Sequence, residues 1–355
     1  MKDLNNFEDR LKIINSFDGN LVYGVKSFNL TTNRTGKGPS NGLPTKELLK
    51  VVQDSQKERF VRKSIGWVEQ KNCVVCNSKK RSFLLNRLGL AYFRCAECSH
   101  IYQDPILSNS VAAELYSNEE TSPKIYKSDN QQEMDEIKFS YGVDLINSFV
   151  SNKNRNSILD IGCGPGIFSK VAFRKGWDLS IGVDINGSYD DISKSSSGFK
   201  LVRGNVLDIA SLDFNTKFDV ISMWSFLEHI PDPKKYINDL GNVLKDNGLI
   251  FILVPNSDSL VAKLLREKST CYNWKHISYF NIKSLNFLLE SCGYNCVFDE
   301  TVITEIGNIK SYLNGKEPYS GELPDKDPFS FIDSKFIHMN KLGSRIIAVY
   351  KKISK

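Results

Sequence analysis

The sequence has 355 residues, 41% hydrophobic and 25% charged, an average globular composition that excludes wholesale disorder. No apolar run approaches the roughly 18 residues of a membrane span, the longest, Leu249–Val254, being strand-sized. The polar, mixed-charge start Met1–Arg10 is unlike a signal peptide, so a soluble, cytoplasmic protein is expected. The net charge of +6 is uneven: residues 1–104 hold 18 Lys+Arg against 10 Asp+Glu, and the remainder 29 against 31. Such a field would steer an acidic partner, such as a sugar nucleotide, a phosphorylated carrier or RNA, to the N-terminal third. A solvated, lysine-rich surface explains it equally well.

Residues 1–70 form an N-terminal extension, irregular over 31–42, where Thr, Asn, Gly and Pro cluster. Thr45 is placed to cap a helix over Lys46–Lys57 with Leu48, Leu49 and Val52 on one face. A distinct module spans 71–104. It carries two identical pairs, Cys73-x2-Cys76 and Cys95-x2-Cys98, separated by 18 residues. Each pair is a tight knuckle, and a hairpin between them brings four sulfurs to one point, the tetrahedral S4 geometry that Zn2+ accepts. Structural zinc is therefore expected at Cys73, Cys76, Cys95 and Cys98, against free core thiols or a redox pair. Four protein ligands leave no open position for catalysis, so the metal would stabilise a module too small to bury an adequate core. His100 is a conceivable fifth ligand, while Cys163, Cys271, Cys292 and Cys296 have no metal spacing.

Residues 105–150 read as a helical connection. From 151 to 355 the pattern alternates strand and helix. Strands are expected at Ser157–Ile161, Leu179–Val183, from Leu201, at Phe218–Met223 and at Leu249–Val254, and helices at Ile167–Lys175 and Pro233–Leu244. Such alternation argues a parallel sheet covered on both faces. A helix Lys283–Cys292 and strands Tyr294–Ile303 and Ser344–Lys352 follow, with a polar insert over about 304–341 between those strands. This late pair implies one antiparallel member, and the insert is expected near the sheet end where ligands bind.

The densest information lies in Leu159-Asp160-Ile161-Gly162-Cys163-Gly164-Pro165-Gly166, a buried strand delivering three glycines into a turn that opens a helix. Without Cβ atoms, a ligand can lie against backbone N–H groups at the carboxyl end of the sheet. Asp184 ends the next strand, where a carboxylate can accept from both hydroxyls of a ribose. A dinucleotide fingerprint would need glycine at 167, which is Ile. The G-x-G-x-G spacing after Asp160 suits a ligand without pyrophosphate whose positive amine that acid helps to hold.

These residues resemble the class I S-adenosylmethionine-dependent methyltransferases over about residues 140–300. The likeness rests on LDIGCGPG at 159–166, GVDIN at 182–186, FDVISMWSFLEHIPDP at 218–233 and LKDNGLIFILVPN at 244–256. It implies a Rossmann-like, seven-stranded α/β sheet with an antiparallel final hairpin, beside a small zinc-ribbon-like domain. It also implies S-adenosylmethionine bound by Asp160, Gly162, Cys163, Gly164, Gly166, Asp184 and Ile185. RGNVLDI at 203–209 departs from the family's usual acid, leaving Asn205, with Val206, to meet the adenine. Met223 is placed to flank the cofactor, or simply to pack. The four-cysteine module resembles those of bacterial methyltransferases of surface-saccharide and natural-product pathways.

Methyl transfer to a hydroxyl gains from a general base, and the sequence has only four histidines. His276, in the polar-aromatic segment Trp274–Phe280, is the first candidate, and His229 of the Glu228-His229 pair is the rival. Tyr279 is placed to assist either. The expected reaction is methylation of an oxygen on a saccharide or other small polar metabolite. Two alternatives are carbon methylation of a keto-sugar nucleotide, and RNA methylation using the basic module, whose knuckles lack the interleaved stacking aromatics of a single-strand platform.

Overall fold

The computed structural model describes residues 4–22, 66–87, 90–118, 129–150, 157–187, 199–273, 275–315 and 329–353. The irregular 31–42 stretch and the helix expected over 46–57 lie outside these residues, as do Trp274 and the middle of the 304–341 insert.

The larger body is a seven-stranded sheet with spatial order β12-β13-β10-β9-β6-β7-β8. Its members are β6 (Ser157–Ile161), β7 (Leu179–Asp184), β8 (Lys200–Arg203), β9 (Phe218–Trp224), β10 (Leu244–Pro255), β12 (Tyr294–Val302) and β13 (Arg345–Lys352). The pairs β6–β7, β7–β8, β6–β9 and β9–β10 are parallel, whereas β13 runs antiparallel to both β10 and β12. Every residue of β6 is buried, as is the run Gly248–Pro255 of β10, which is what strands covered on both faces require. The two faces feed two cores. Leu159, Ile161, Ile250 and Ile252 point into one, and Ile158, Leu249, Phe251 and Leu253 into the other. The mostly parallel sheet with one antiparallel strand is thus as expected. β10 starts five residues earlier than expected, with a register irregularity between Leu244 and Leu249.

Helix ends follow local chemistry. The helix Pro233–Val243 starts with proline in its first turn, and the Asp232 carboxylate accepts from the Lys235 N–H at 2.9 Å. The helix Ile282–Ser291 is capped reciprocally: Asn281 Oδ1 accepts from Ser284 N–H, and Ser284 Oγ accepts from Asn281 N–H. The connection contributes helices Asn109–Ser117 and Asp129–Phe149. The second lets Trp224 approach closely at Gly142, where a Cβ would lie 2.5 Å from the indole.

The cysteine module is a separate four-stranded sheet of order β11-β4-β3-β2. β2 (Arg81–Arg87), β3 (Leu90–Cys95) and β4 (Ile101–Asp104) form an antiparallel meander. Its last member is β11 (Ser278–Tyr279), a strand from the segment after β10. Strands β1 (Trp67–Val68) and β5 (Ile106–Leu107) pair beside it. No described helix is long and apolar enough to cross a membrane.

Candidate active site and cysteine cluster

β6 ends in the turn Gly162–Gly166, in which all three glycines have positive φ, +72°, +51° and +75°. At Gly162 a Cβ would sit 2.6 Å from the Phe226 ring, and at Gly166 it would sit 2.5 Å from Leu201. Both the conformation and the space therefore demand glycine. Val183 carbonyl accepts from the N–H groups of Gly162 and Cys163 at 2.9 and 3.1 Å, pinning the turn to β7. The Asp184 carboxylate adds two more ties, accepting from Gly164 N–H at 2.9 Å and Asn186 N–H at 2.8 Å. A carboxylate has about four acceptor positions, so one on each oxygen stays available for a ribose hydroxyl. Asp160 is buried; its carboxylate accepts from Ser222 Oγ at 2.8 Å. Burial, and to a smaller extent the charge on Asp184, push its pKa up to about 8.

The turn floors one end of a cleft of about 380 Å³. Asp160, Gly162, Cys163, Gly164, Asp184, Ile185 and Val206 line it, as do the candidate bases His229 and His276. Four of the expected residues do not line this cleft. Gly166 lies outside the lining and instead caps the helix Ile167–Arg174. Asn205 is exposed and turns its amide oxygen back to Leu207 N–H at 3.2 Å, so Val206 and Leu207 form that wall. Met223 is fully buried in the core; the next residue along the strand, Trp224, faces the cleft, as strand alternation requires. Tyr279 is also fully buried, with its hydroxyl donating to the Asn273 carbonyl at 2.9 Å and to that of His276, so it holds the loop and does not reach the cleft.

The far end of the cleft is polar. His229 Nδ1 lies 2.8 Å from the Lys275 carbonyl, and His276 Nδ1 lies 3.1 Å from the Cys271 carbonyl. Carbonyls only accept, so both Nδ1 atoms carry hydrogen and the Nε2 atoms are the basic nitrogens of the neutral rings. The rings stand 5.0 Å apart, edge to face. Glu228, just ahead of His229, is 1% exposed, neither carboxylate oxygen has a hydrogen-bond partner among the described residues, and Oε1 lies 4.0 Å from His276 Nε2. Loss of solvent pushes Glu228 up to about 8, lowers His229 to about 4 and depresses His276 well below the usual imidazole range. Both imidazoles are therefore neutral at pH 7.

Sequence reasoning missed Tyr116. Its helix, Asn109–Ser117, brings the hydroxyl to 2.9 Å from His229 Nδ1, while Asn186 Nδ2, beside Asp184, donates to the Tyr116 carbonyl at 3.0 Å. It missed Arg345 at the start of β13 as well, another cleft residue. Neither stands in a motif; only the tertiary fold brings them there.

In the module, the knuckles repeat one geometry. Cys73 carbonyl accepts from Asn77 N–H and Cys95 carbonyl from Ser99 N–H, at 2.8 and 3.1 Å, with Asn77 and Ser99 both left-handed (φ +60° and +62°). Sulfurs of Cys73 and Cys98, and of Cys76 and Cys95, are 3.5 Å apart, and all four lie within 4.8 Å of one another. Tetrahedral Zn–S bonds of about 2.3 Å put sulfurs about 3.8 Å apart, so the donor set fits that ion. His100 is outside this cluster; its ring packs on Tyr102 and Phe280.

Residues 130–298 match the family profile described as a methyltransferase domain. The matched stretch, just under half of the 355 residues, runs from the helix Asp129–Phe149 into β12 and contains the glycine turn and Asp184. A ubiquinone biosynthesis O-methyltransferase of Coxiella burnetii is 30% identical over 103 residues, 28% of this chain and 43% of that protein; the chain thus spans less than half of this relative's length. An uncharacterized protein of Methanocaldococcus jannaschii is 29% identical over 163 residues, 45% of this chain and 75% of its own length. Among solved structures, a SAM-dependent methyltransferase from Archaeoglobus fulgidus aligns with a TM-score of 0.42 at 21% identity. That alignment covers 62% of this chain and 94% of that one.

Proposed function

We propose that the protein transfers the methyl group of S-adenosylmethionine to an oxygen of a saccharide or another small polar metabolite, with structural zinc in its cysteine module. One observation carries the reading: a single cleft joins the glycine turn and Asp184 at one end to two neutral imidazoles with unprotonated Nε2 atoms at the other. The donor supplies an electrophilic methyl when bound; the protein's part is to orient and to exclude water. Asp184 holds the ribose, the turn without Cβ atoms lets the amino-acid end lie against its backbone, and Asp160 balances the positive charge of that end. His276 accepts the proton of the acceptor hydroxyl at Nε2, with His229 the second candidate. The O-methyltransferase name of the Coxiella relative supports oxygen as the acceptor atom.

Replacing His276 with alanine is expected to lower turnover by roughly 10²–10⁴-fold, the worth of a general base, with donor affinity unchanged. Transfer of labelled methyl into a panel of nucleotide sugars, saccharides and RNA measures this, and it identifies the acceptor. Equal turnover of the variant removes the base role.

Donor binding should also be pH-dependent. With its pKa raised to about 8, Asp160 is protonated in the empty cleft at pH 7, whereas a cation beside it favours the ionised form. Binding then releases a proton, and affinity weakens as pH falls from 7 to 5, by at most about tenfold per unit. Calorimetry in two buffers of different ionisation enthalpy reads that proton directly.

A further inference from the structure

We infer that the cysteine module braces the acceptor half of the cleft: its metal-ordered sheet positions residues 271–273 and 275–281, and with them His276 and Glu228, through strand pairing and hydrogen bonds that the donor half does not share. This rests on the proposed methyl-transfer reading and assigns the module a role within it.

Three observations place that segment in the module. First, β11 is an edge strand of the module's sheet, with Ser278 opposite Tyr102 and Tyr279 opposite Ile101. β4 begins three residues after Cys98, so the second knuckle sets its position directly. Secondly, hydrogen bonds run from this sheet to the acceptor residues. Gln103 N–H donates to the Ile277 carbonyl at 3.1 Å, Ile277 N–H donates to the Glu228 carbonyl at 3.0 Å, and the buried Tyr279 hydroxyl holds the His276 carbonyl. Thirdly, the segment shares a hydrophobic core with the module, distinct from both cores of the large sheet. Leu85, Leu90, Tyr92 and Ile101 pack there with Cys271, Tyr272 and Tyr279, and Tyr92 lies edge-on to Tyr272 and Tyr279 at 5.3 and 5.4 Å. At the far side Asn281 Nδ2 donates to Ser99 Oγ at 3.1 Å, joining the second knuckle to the cap of the following helix.

Among the described residues the donor turn has no strand pairing or hydrogen bond to the module, whose Cys73, Val75, Cys95 and Cys98 reach that side only through the apolar core they share with Leu159, Ile161 and Val183. The turn's backbone is fixed by Val183 and Asp184 of β7, on the opposite side of β6 from β9 and β10. Gln103 and Tyr279 are accordingly positioning residues: neither lines the cleft, and both act through His276 and Glu228.

Hydrogen exchange on the full chain tests this without an acceptor. Stripping the module with a zinc chelator is expected to raise amide exchange across 275–281 by tenfold or more. Exchange across 157–186 and calorimetric affinity for S-adenosylhomocysteine should change less than threefold, and added Zn2+ should restore protection. Gln103→Pro removes the N–H to Ile277 together with the side-chain bond to the Pro105 carbonyl but leaves all four cysteines; it is expected to retain the metal by elemental analysis and yet loosen 275–281, beyond rescue by Zn2+. Unchanged protection of 275–281 in both experiments overturns the inference, as does donor affinity collapsing together with it. These readouts are independent of His276→Ala turnover, so failure of the base role and failure of the brace are told apart.

Discussion

Asp184→Ala is expected to abolish donor binding while leaving the cysteine module intact. The carboxylate has two tasks, which add. Towards the ligand it offers two charged acceptors to a ribose; hydrogen bonds to charged groups contribute about 1.5–3 kcal/mol each, so losing both weakens binding by roughly 10²–10⁴-fold. Towards the protein it accepts from Gly164 and Asn186 N–H groups, and alanine leaves these two donors without their partner. The turn loosens at the residues against which the ligand would lie. Asp184→Asn separates the tasks, since its carbonyl oxygen keeps one backbone tie and one neutral acceptor; an intermediate affinity is expected. Calorimetry with S-adenosylhomocysteine measures both variants. Native affinity in Asp184→Ala would contradict the ribose role.

The second large effect belongs to the cysteines. Elemental analysis should find close to one zinc per chain, and Cys76→Ser should abolish it and unfold the module. Structural zinc contributes an apparent 10–16 kcal/mol to small domains at neutral pH, more than a sheet of three short strands and one two-residue edge strand replaces. Cys292→Ser is the control: Cys292 lies apart from the cluster with its thiol towards the Lys234 carbonyl, and the metal should be retained. Metal-free protein with a fully ordered module would contradict the S4 site.

Much of this architecture was legible in the sequence wherever local physics decides it. A strand buried on both faces must be apolar throughout, so Ser157–Ile161 and Leu249–Val254 declare themselves; a G-x-G-x-G turn declares where a backbone must be approached closely. Paired knuckles at equal spacing likewise declare that four sulfurs converge on one point. What was not legible depends on pairing between distant segments. β11 is two residues long and has no pattern of its own; it is a strand only because β4 offers an edge 174 or more residues earlier in the chain. Tyr279 illustrates the cost. Its place in a polar-aromatic loop suggested catalysis, but the shared core with Tyr92 and Tyr272 turns its hydroxyl inward. Met223 and Trp224 are adjacent on β9, and the pleat sends the first to the core and the second to the cleft. Tyr116 meets His229 and Asn186 across 113 and 70 residues of chain, a proximity that only the folded structure creates.

The place of β13 has a consequence for how the protein is made. The sheet's order puts Arg345–Lys352 between β10 and β12, although both partners precede it in the chain and the family match stops at residue 298. During vectorial synthesis β10 therefore leaves the ribosome with a naked edge, flanked by Ile250, Ile252 and Val254, and stays so until nearly a hundred further residues have emerged. Exposed apolar edges recruit other strands. A recombinant fragment trimmed to 130–298 would keep that edge permanently open and should be recovered as aggregate, so expression work on the catalytic portion has to carry the chain through Lys352.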